Sequence, residues 1–484
     1  MNIESQKISL GEKIGYSLGD LAANLVFQTL ITYLAFFYTD IYGLDPNDAS
    51  IIMLSVGLVA AFSFNPIIGI LADRTRSKWG KFRPWILYTS LPLSLMALLA
   101  FSTPDFSYKG KLIYAVATYS LLLMMYAGNN LPYSALSGVI TGDMAERNSI
   151  SSIRFVAVLF AQFFVQVFML PIIEYAGGGD KAVGIEKVLT WMAIIGTILL
   201  LTTFFTTKER VIPSPEQKSS LKDDLSDLIR NKPWIIMLTL TILVFVTLAM
   251  KGGSYVYYFN YYVDEAALAS FIDPILRFFN SVGMNFFGSD PTSAGFGLFN
   301  AGGIIFMLIG IGFSKKLADR FGKRDVFGVA LFISTLFILA FVFFPPQSVG
   351  LMFLSQVFHG FFYGITTPLL WAMIADVADY SEWKNNRRAT AIIFSAMMMG
   401  LKAGLSIGGA LVAWILGLYG YVNIAASGGS ELIQPDTVRH GAKMLISVFA
   451  AIPFFLGVVL LFFYKINKSM EVQIEQDLIK RRKS

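Results

Sequence analysis

Asp20, Asn24, Gln28 and Thr32 recur every fourth residue inside an apolar run, which draws one polar stripe along a helix. Such a stripe is costly against lipid, so its groups either hydrogen-bond a neighbouring helix or line a hydrated cavity that holds a polar solute. Gln162 and Gln166 make a one-turn pair on the segment that carries Arg154. Lys251, Tyr255, Tyr258 and Tyr262 place a cation ahead of phenols at helical spacing. Phenols stack on a sugar ring and hydrogen-bond its hydroxyls, although tyrosine belts at a water interface give the same pattern. Gln356, Tyr363, Thr367 and Trp371 offer a comparable face, with Trp371 as either a stacking or a packing residue. Neither His359 nor His440 has a metal-ligand partner at close spacing, and cysteine is absent, which excludes disulfides, thiolate metal sites and thiol catalysis. There is no phosphate-cradling loop between a strand and a helix. These residues read as groups that bind, and the sequence predicts no enzyme, no metal and no cofactor.

The elements that must position them are membrane spans. Of 484 residues, 55% are hydrophobic and only 14% charged, whereas a soluble domain carries about 25% charged residues. Apolar runs of about 20 residues, enough to cross some 30 Å of hydrocarbon, recur from one end to the other. Twelve are expected, at 14–38, 49–71, 84–101, 112–136, 150–173 and 188–206, then 234–262, 294–313, 326–344, 349–374, 389–418 and 444–464. The first contains an acid and lacks a small-residue cleavage site, so it reads as a mature span and not a signal peptide. The expected organisation is an all-α membrane protein of two six-helix bundles, 1–207 and 233–465. A cytoplasmic linker at 208–232 joins them, an outer insert lies at about 264–293, and a cytoplasmic tail occupies 466–484.

Charge tests the parse, because Lys and Arg gather in alternate loops of a membrane protein. With both tails inside, the cytoplasmic segments hold 28 of the 38 basic residues and the outer loops six, leaving Arg154, Lys251 and Lys402 within spans and Lys443 at the edge of the last. The alternation supports a multi-pass protein of a bacterial-type inner membrane with both termini cytoplasmic. It also accounts for a pI near 9.1 without nucleic acid. The halves echo each other. Leu71-Ala72-Asp73-Arg74 leaves the second span and Leu317-Ala318-Asp319-Arg320 the eighth, while Asp143 after the fourth answers Asp376 after the tenth. A duplicated unit of this kind places a substrate site between the halves and works by alternating access.

Several segments carry a family likeness: Gly15-Tyr16-Ser17-Leu18-Gly19-Asp20, Phe37-Tyr38-Thr39-Asp40, the basic loop from Leu71 to Trp85, and Ala375-Asp376-Val377-Ala378-Asp379-Tyr380-Ser381-Glu382-Trp383-Lys384. They resemble the glycoside-pentoside-hexuronide cation symporters, relatives of the melibiose permease within the major facilitator superfamily. The resemblance covers nearly the whole chain and implies a sugar or glycoside substrate moved with sodium or protons. It also marks departures. The two acids of the permease's cation site correspond to Ala61 and Asn65, and its sugar-binding acids to Asn24 and Asn130, while the basic residues remain as Arg154 and Lys402.

Together these readings assign substrate binding to Asp20, Asn24, Gln28, Asn130, Arg154, Gln162, Lys251, Tyr255, Trp371 and Lys402. Asp20, the only acid placed inside a span, is the expected carrier of a coupling proton, with sodium the less favoured ion. The excess of cations over acids inside the spans points to an acidic sugar. Asp73, Arg74, Asp319, Arg320, Asp376, Asp379, Arg387 and Arg388 sit at cytoplasmic helix ends, where they either close the inward face or only fix topology. The rival readings are a transporter of amphiphilic lipids on the same fold and a membrane enzyme or sensor. The expected partners are a small sugar or sugar acid and the surrounding lipids; the sequence leaves the oligomeric state open, with a monomer compatible.

Overall fold

The structure, a computed structural model, describes residues 7–141, 143–211, 231–281, 283, 287, 290–385, 390–422 and 434–483. Helices account for almost all of it. In chain order they are α1 (Leu10–Ile41), α2 (Pro46–Arg74), α3 (Arg83–Ala100), α4 (Tyr108–Ile140), α5 (Glu146–Gly177), α6 (Lys181–Thr206), α7 (Lys232–Tyr261), α8 (Glu265–Ser281), α9 (Pro291–Phe321), α10 (Lys323–Phe343), α11 (Val349–Lys384), α12 (Ile392–Leu418), α13 (Asp436–Leu461) and α14 (Lys468–Lys483). Local chemistry sets their starts. Ser9, Asp45, Ser107, Asp180 and Asn231 each accept a hydrogen bond from a backbone N–H of the first turn that follows, which satisfies donors that a helix leaves unpaired.

Among the described residues, eleven of these helices are long and apolar enough to cross a membrane. They match eleven of the twelve expected spans, and all but α12 run longer than expected, because they carry polar turns beyond the apolar run. The expected span 84–101 is α3, a helix of 18 residues. It falls outside that set because Arg83, Pro84 and Pro92 dilute its apolar content.

The chain divides into two compact units. Unit 1 comprises Met1–Glu216, Leu276–Gly297 and Val422–Ile433; unit 2 comprises Gln217–Ile275, Leu298–Tyr421 and Gln434–Ser484. In unit 1, α1 packs against α5 and α6, and α3 against α4 and α6. Tyr16 of α1 and Tyr133 of α4 stack with ring centroids 4.5 Å apart. Each hydroxyl donates to the other residue's backbone carbonyl, at 3.0 and 2.8 Å, so two buried phenols satisfy one another.

In unit 2, α7 packs on α12 and α13, and α10 on α11 and α13. The stretch after Asp264 forms α8, a helix that carries Phe271, Ile275, Phe278 and Phe279 at near-helical spacing. Leu268 and Ile272 are buried, and Phe271 meets Phe353 of α11 at 5.0 Å. The rest of that insert lies partly outside the described residues.

Wide π-turns interrupt α1 at Phe37–Ile41, α2 at Ala60–Phe64, α5 at Phe164–Phe168 and α13 at Leu445–Phe449. Such turns frequently sit at functional positions because they free a carbonyl and re-aim the residues around them. In α2 the carbonyl of Ala60 accepts from the Asn65 side chain at 2.8 Å, just before Pro66, which has no N–H to offer.

Candidate functional site

Unit 1 gathers most of the polar stripe of α1. Asp20 is 4% exposed, and its Oδ2 lies 2.7 Å from the Nε of Arg154 on α5. Asn24 donates to the other Asp20 oxygen at 3.1 Å and to the Asp20 carbonyl at 2.9 Å. One turn on, Gln166 donates to Gln28 at 3.4 Å, again joining α5 to α1. Thr32 is buried, and its hydroxyl has no hydrogen-bond partner among the described residues. Asp20 and Gln28 therefore join α1 to α5, and Asn24 braces Asp20 from one turn further along α1.

Asn130 is half-buried, whereas its neighbour Asn129 is fully buried and donates to Thr89 at 2.8 Å. Sequence reasoning passed over Asn129, because neighbouring helical residues point about 100° apart and only packing decides which one faces inward. Gln162 is half-buried on α5.

Unit 2 holds a second polar cluster. Lys251 of α7 is 7% exposed. Among the described residues its ammonium has no ion-pair partner, and it lies 5.3 Å from the centroid of the Tyr255 ring. Tyr255 donates to Gln356 Oε1 of α11 at 2.8 Å. One turn further along α11, His359 Nδ1 lies 2.8 Å from the Ser334 hydroxyl and 3.2 Å from the Ser334 carbonyl of α10. The His359 ring stacks on Tyr363 at 5.9 Å.

The sequence signal for His359 was its place on the same α11 face as Gln356 and Tyr363; its serine partner gives no such signal. Tyr258 and Tyr262 stack on each other at 5.1 Å, and Tyr262 donates to the Phe344 carbonyl, so both serve packing within this unit. Trp371 is 36% exposed, and Lys402 is half-buried on α12.

The expected gating residues divide by unit. Asp73 pairs with Lys81 at 2.9 Å inside the basic loop, and Arg74 is exposed. Two further pairs tie the same end of unit 1, Glu12 with Arg210 at 2.7 Å and Lys13 with Glu146 at 2.8 Å. In unit 2 Asp376 pairs with Lys323, a residue the sequence reading left aside. Asp319 and Arg320 offer their carbonyls to Lys468 at 2.8 and 3.0 Å. Arg387 and Arg388 lie outside the described residues.

The tail expected at 466–484 forms helix α14, which docks on unit 2. Ile474 and Leu478 are buried, Trp383 donates to Asp477 at 3.0 Å, and Glu471 lies 3.7 Å from Lys323. Burial pushes the Glu471 carboxyl above the ordinary glutamate range, and Lys323 pulls it part of the way back. A raised acid favours the protonated form, so docking of α14 should tighten as pH falls through the docked pKa and loosen above it. A spin label on a cysteine at Lys480 should become more mobile as pH rises. Glu471→Gln should remove that pH dependence and hold the label in its acid-side state.

Among the described residues no group of three or more His, Asp or Glu could hold a metal ion. Known proteins give this arrangement its context. A family model described as MFS/sugar transport protein matches residues 15–289 and 286–468. The inner membrane symporter YicJ of Escherichia coli (strain K12) is 36% identical, over 87% of this chain and 85% of that one. The isoprimeverose transporter of Lactiplantibacillus pentosus is 30% identical over 96% of this chain and 91% of that one. The glucuronide carrier protein homolog of Escherichia coli (strain K12) is 25% identical over 98% and 96%. The fold likeness extends to a solved proton-dependent oligopeptide transporter, with a TM-score of 0.63 at 13% identity over 96% of this chain and 99% of that one. A multi-pass helical chain with buried polar clusters and this match along nearly all its length is a secondary transporter of the bacterial inner membrane, and it belongs to the MFS/sugar transport family.

Proposed function

We propose that the chain imports an acidic sugar, such as a hexuronide, by symport with protons. It crosses the membrane twelve times, with α3 as the further span, and keeps both termini in the cytoplasm. The observation that carries the reading is the charge balance of the buried groups. Asp20 and Arg154 neutralise each other at 2.7 Å, while Lys251 is buried with no ion-pair partner among the described residues. An uncompensated lysine inside a bilayer costs about 2.5–3.5 kcal/mol on insertion scales and normally faces a wet cavity or a counter-charge. A substrate carboxylate supplies that charge when it binds. The likeness to a glucuronide carrier homolog supports the same substrate class.

Proton coupling rests on Asp20. Protonation cancels its charge and frees Arg154, and deprotonation restores the pair, so the pair is a two-state element that a proton switches. Sodium favours several oxygen ligands with negative charge. At the corresponding positions stand Ala61 and Asn65, and the Asn65 amide is engaged with the Ala60 carbonyl. Asn24, Gln28, Asn130, Gln162, Tyr255, Trp371 and Lys402 supply the remaining contacts to the sugar, and the cytoplasmic charges from Asp73 to Arg388 close the inner face.

Uptake into proteoliposomes tests substrate and ion together. Paired neutral and acidic sugars are offered with an imposed proton gradient, a sodium gradient or neither. The expected result is accumulation of the acidic sugar with the proton gradient alone. Equal uptake of both sugars removes the acidic-substrate reading, and sodium-driven accumulation removes the proton.

A further inference from the structure

Arg154, half-buried in unit 1, is paired with Asp20, whereas Lys251, buried in unit 2, has no ion-pair partner among the described residues. We propose that Lys251, braced by Tyr255, Gln356 and His359, is the carboxylate-receiving subsite, and that Arg154 is not. The assignment rests on the acidic-sugar reading and says which residue meets the acid.

Arg154 presents its Nε to Asp20 at 2.7 Å, and Asp20 is held in place by Asn24. While Asp20 is ionised, a second carboxylate arriving there would meet a pair that is already neutral and would repel Asp20. Among the described residues no carboxylate forms an ion pair with Lys251. The Tyr255 ring presents its face to the ammonium, an attraction too weak to replace a carboxylate. The Tyr255 hydroxyl is spent on the Gln356 oxygen at 2.8 Å, which leaves the Gln356 amide N–H groups as donors. That amide sits directly against α9, where a Cβ on Gly303 would come within 2.6 Å of its nitrogen. Tyr255 is itself fixed by the edge of Phe299, with centroids 5.0 Å apart.

His359 is oriented by Ser334 of α10. A carbonyl only accepts, so the Ser334 carbonyl 3.2 Å from Nδ1 requires a proton on Nδ1. The cluster is one cation, one pair of amide donors and two aromatic faces, which matches a carboxylate carried on a sugar ring.

Binding of methyl β-D-glucuronide and methyl β-D-glucoside to the purified full chain tests this, with folding monitored by size exclusion. The unmodified protein should bind the glucuronide about ten-fold more tightly, as expected for one charge-assisted contact. Lys251→Met removes the charge at similar volume and should bring the two affinities together, and Lys251→Arg should restore most of the preference. Arg154→Gln should keep the preference. Gly303→Ala, which leaves Lys251 untouched but crowds the Gln356 amide, should weaken glucuronide binding more than glucoside binding, and this arm reports even where Lys251→Met does not fold. Preference kept in Lys251→Met or in Gly303→Ala and lost in Arg154→Gln would overturn the assignment and leave the acidic-sugar reading standing. Equal binding of the two sugars by the unmodified protein would end both.

Discussion

Asp20→Asn should leave the protein able to exchange substrate across the membrane but unable to accumulate it against a gradient. Asparagine keeps the size and one hydrogen-bonding oxygen of the carboxylate, so Asn24 retains a partner, but the side chain can no longer switch between charged and neutral. The concentration ratio driven by an imposed proton gradient should fall to about one, whereas counterflow of labelled against unlabelled substrate should persist. The substitution also strands Arg154. Removing one partner of a buried ion pair costs about 3–5 kcal/mol, and the lower end applies here because the Arg154 side chain is 35% exposed. Asp20→Asn combined with Arg154→Gln should therefore recover thermal stability without recovering accumulation. Full proton-driven accumulation by Asp20→Asn would mean that the coupling proton rides elsewhere.

A large loss of folding is expected from Gly404→Val. Gly400, Gly404 and Gly408 follow one another at four-residue intervals on α12, facing α7. Small residues at that spacing let two helix backbones approach closely in a membrane. A Cβ at Gly404 would come 2.6 Å from the Ile242 carbonyl oxygen and 3.1 Å from the Phe245 Cβ. The obstacle is backbone, which cannot swing aside as a side chain does. Overpacking typically costs about 1–3 kcal/mol; a branched side chain against a fixed carbonyl belongs at or above the upper end. Gly404→Val should give little monodisperse protein on size exclusion in detergent and a much lower unfolding temperature. Gly69→Ala is the control, because a Cβ there meets nothing within 4 Å, and it should behave as the unmodified protein. If Gly404→Val is as stable as Gly69→Ala, the close contact of α7 and α12 is not what holds unit 2 together.

Hydropathy and charge alternation were legible because they are local. Whether a run of about 20 residues partitions into hydrocarbon depends on its own side chains, and eleven expected spans recur as helices that can cross a membrane. The one that differs, Arg83–Ala100, is also the one with an arginine and two prolines in its 18 residues, so the ambiguity was already written in its composition. The period of four in Asp20, Asn24, Gln28 and Thr32 likewise placed them on one face before any fold was known, as did the spacing of Lys251 and Tyr255.

What the sequence left open were the partners. Nothing in the local composition around Asp20 says that Arg154, and not Lys402, lies 2.7 Å from it, because the pairing depends on α1 packing against α5. The same holds for His359 and Ser334, which meet only because α10 packs against α11. A rotation of one helix by a single residue, about 100°, exchanges Asn129 for Asn130 at the buried position and costs the sequence pattern nothing. The tail at 466–484 is polar enough to read as solvated chain. It becomes a docked helix because unit 2 offers a surface that buries Ile474 and Leu478 beside Lys323. Composition and periodicity thus determined the class of protein and the faces of its helices, since transfer from water to lipid is decided residue by residue. Only the tertiary structure decided which buried charge is already satisfied and which is left for a substrate, since that depends on which helix each face meets.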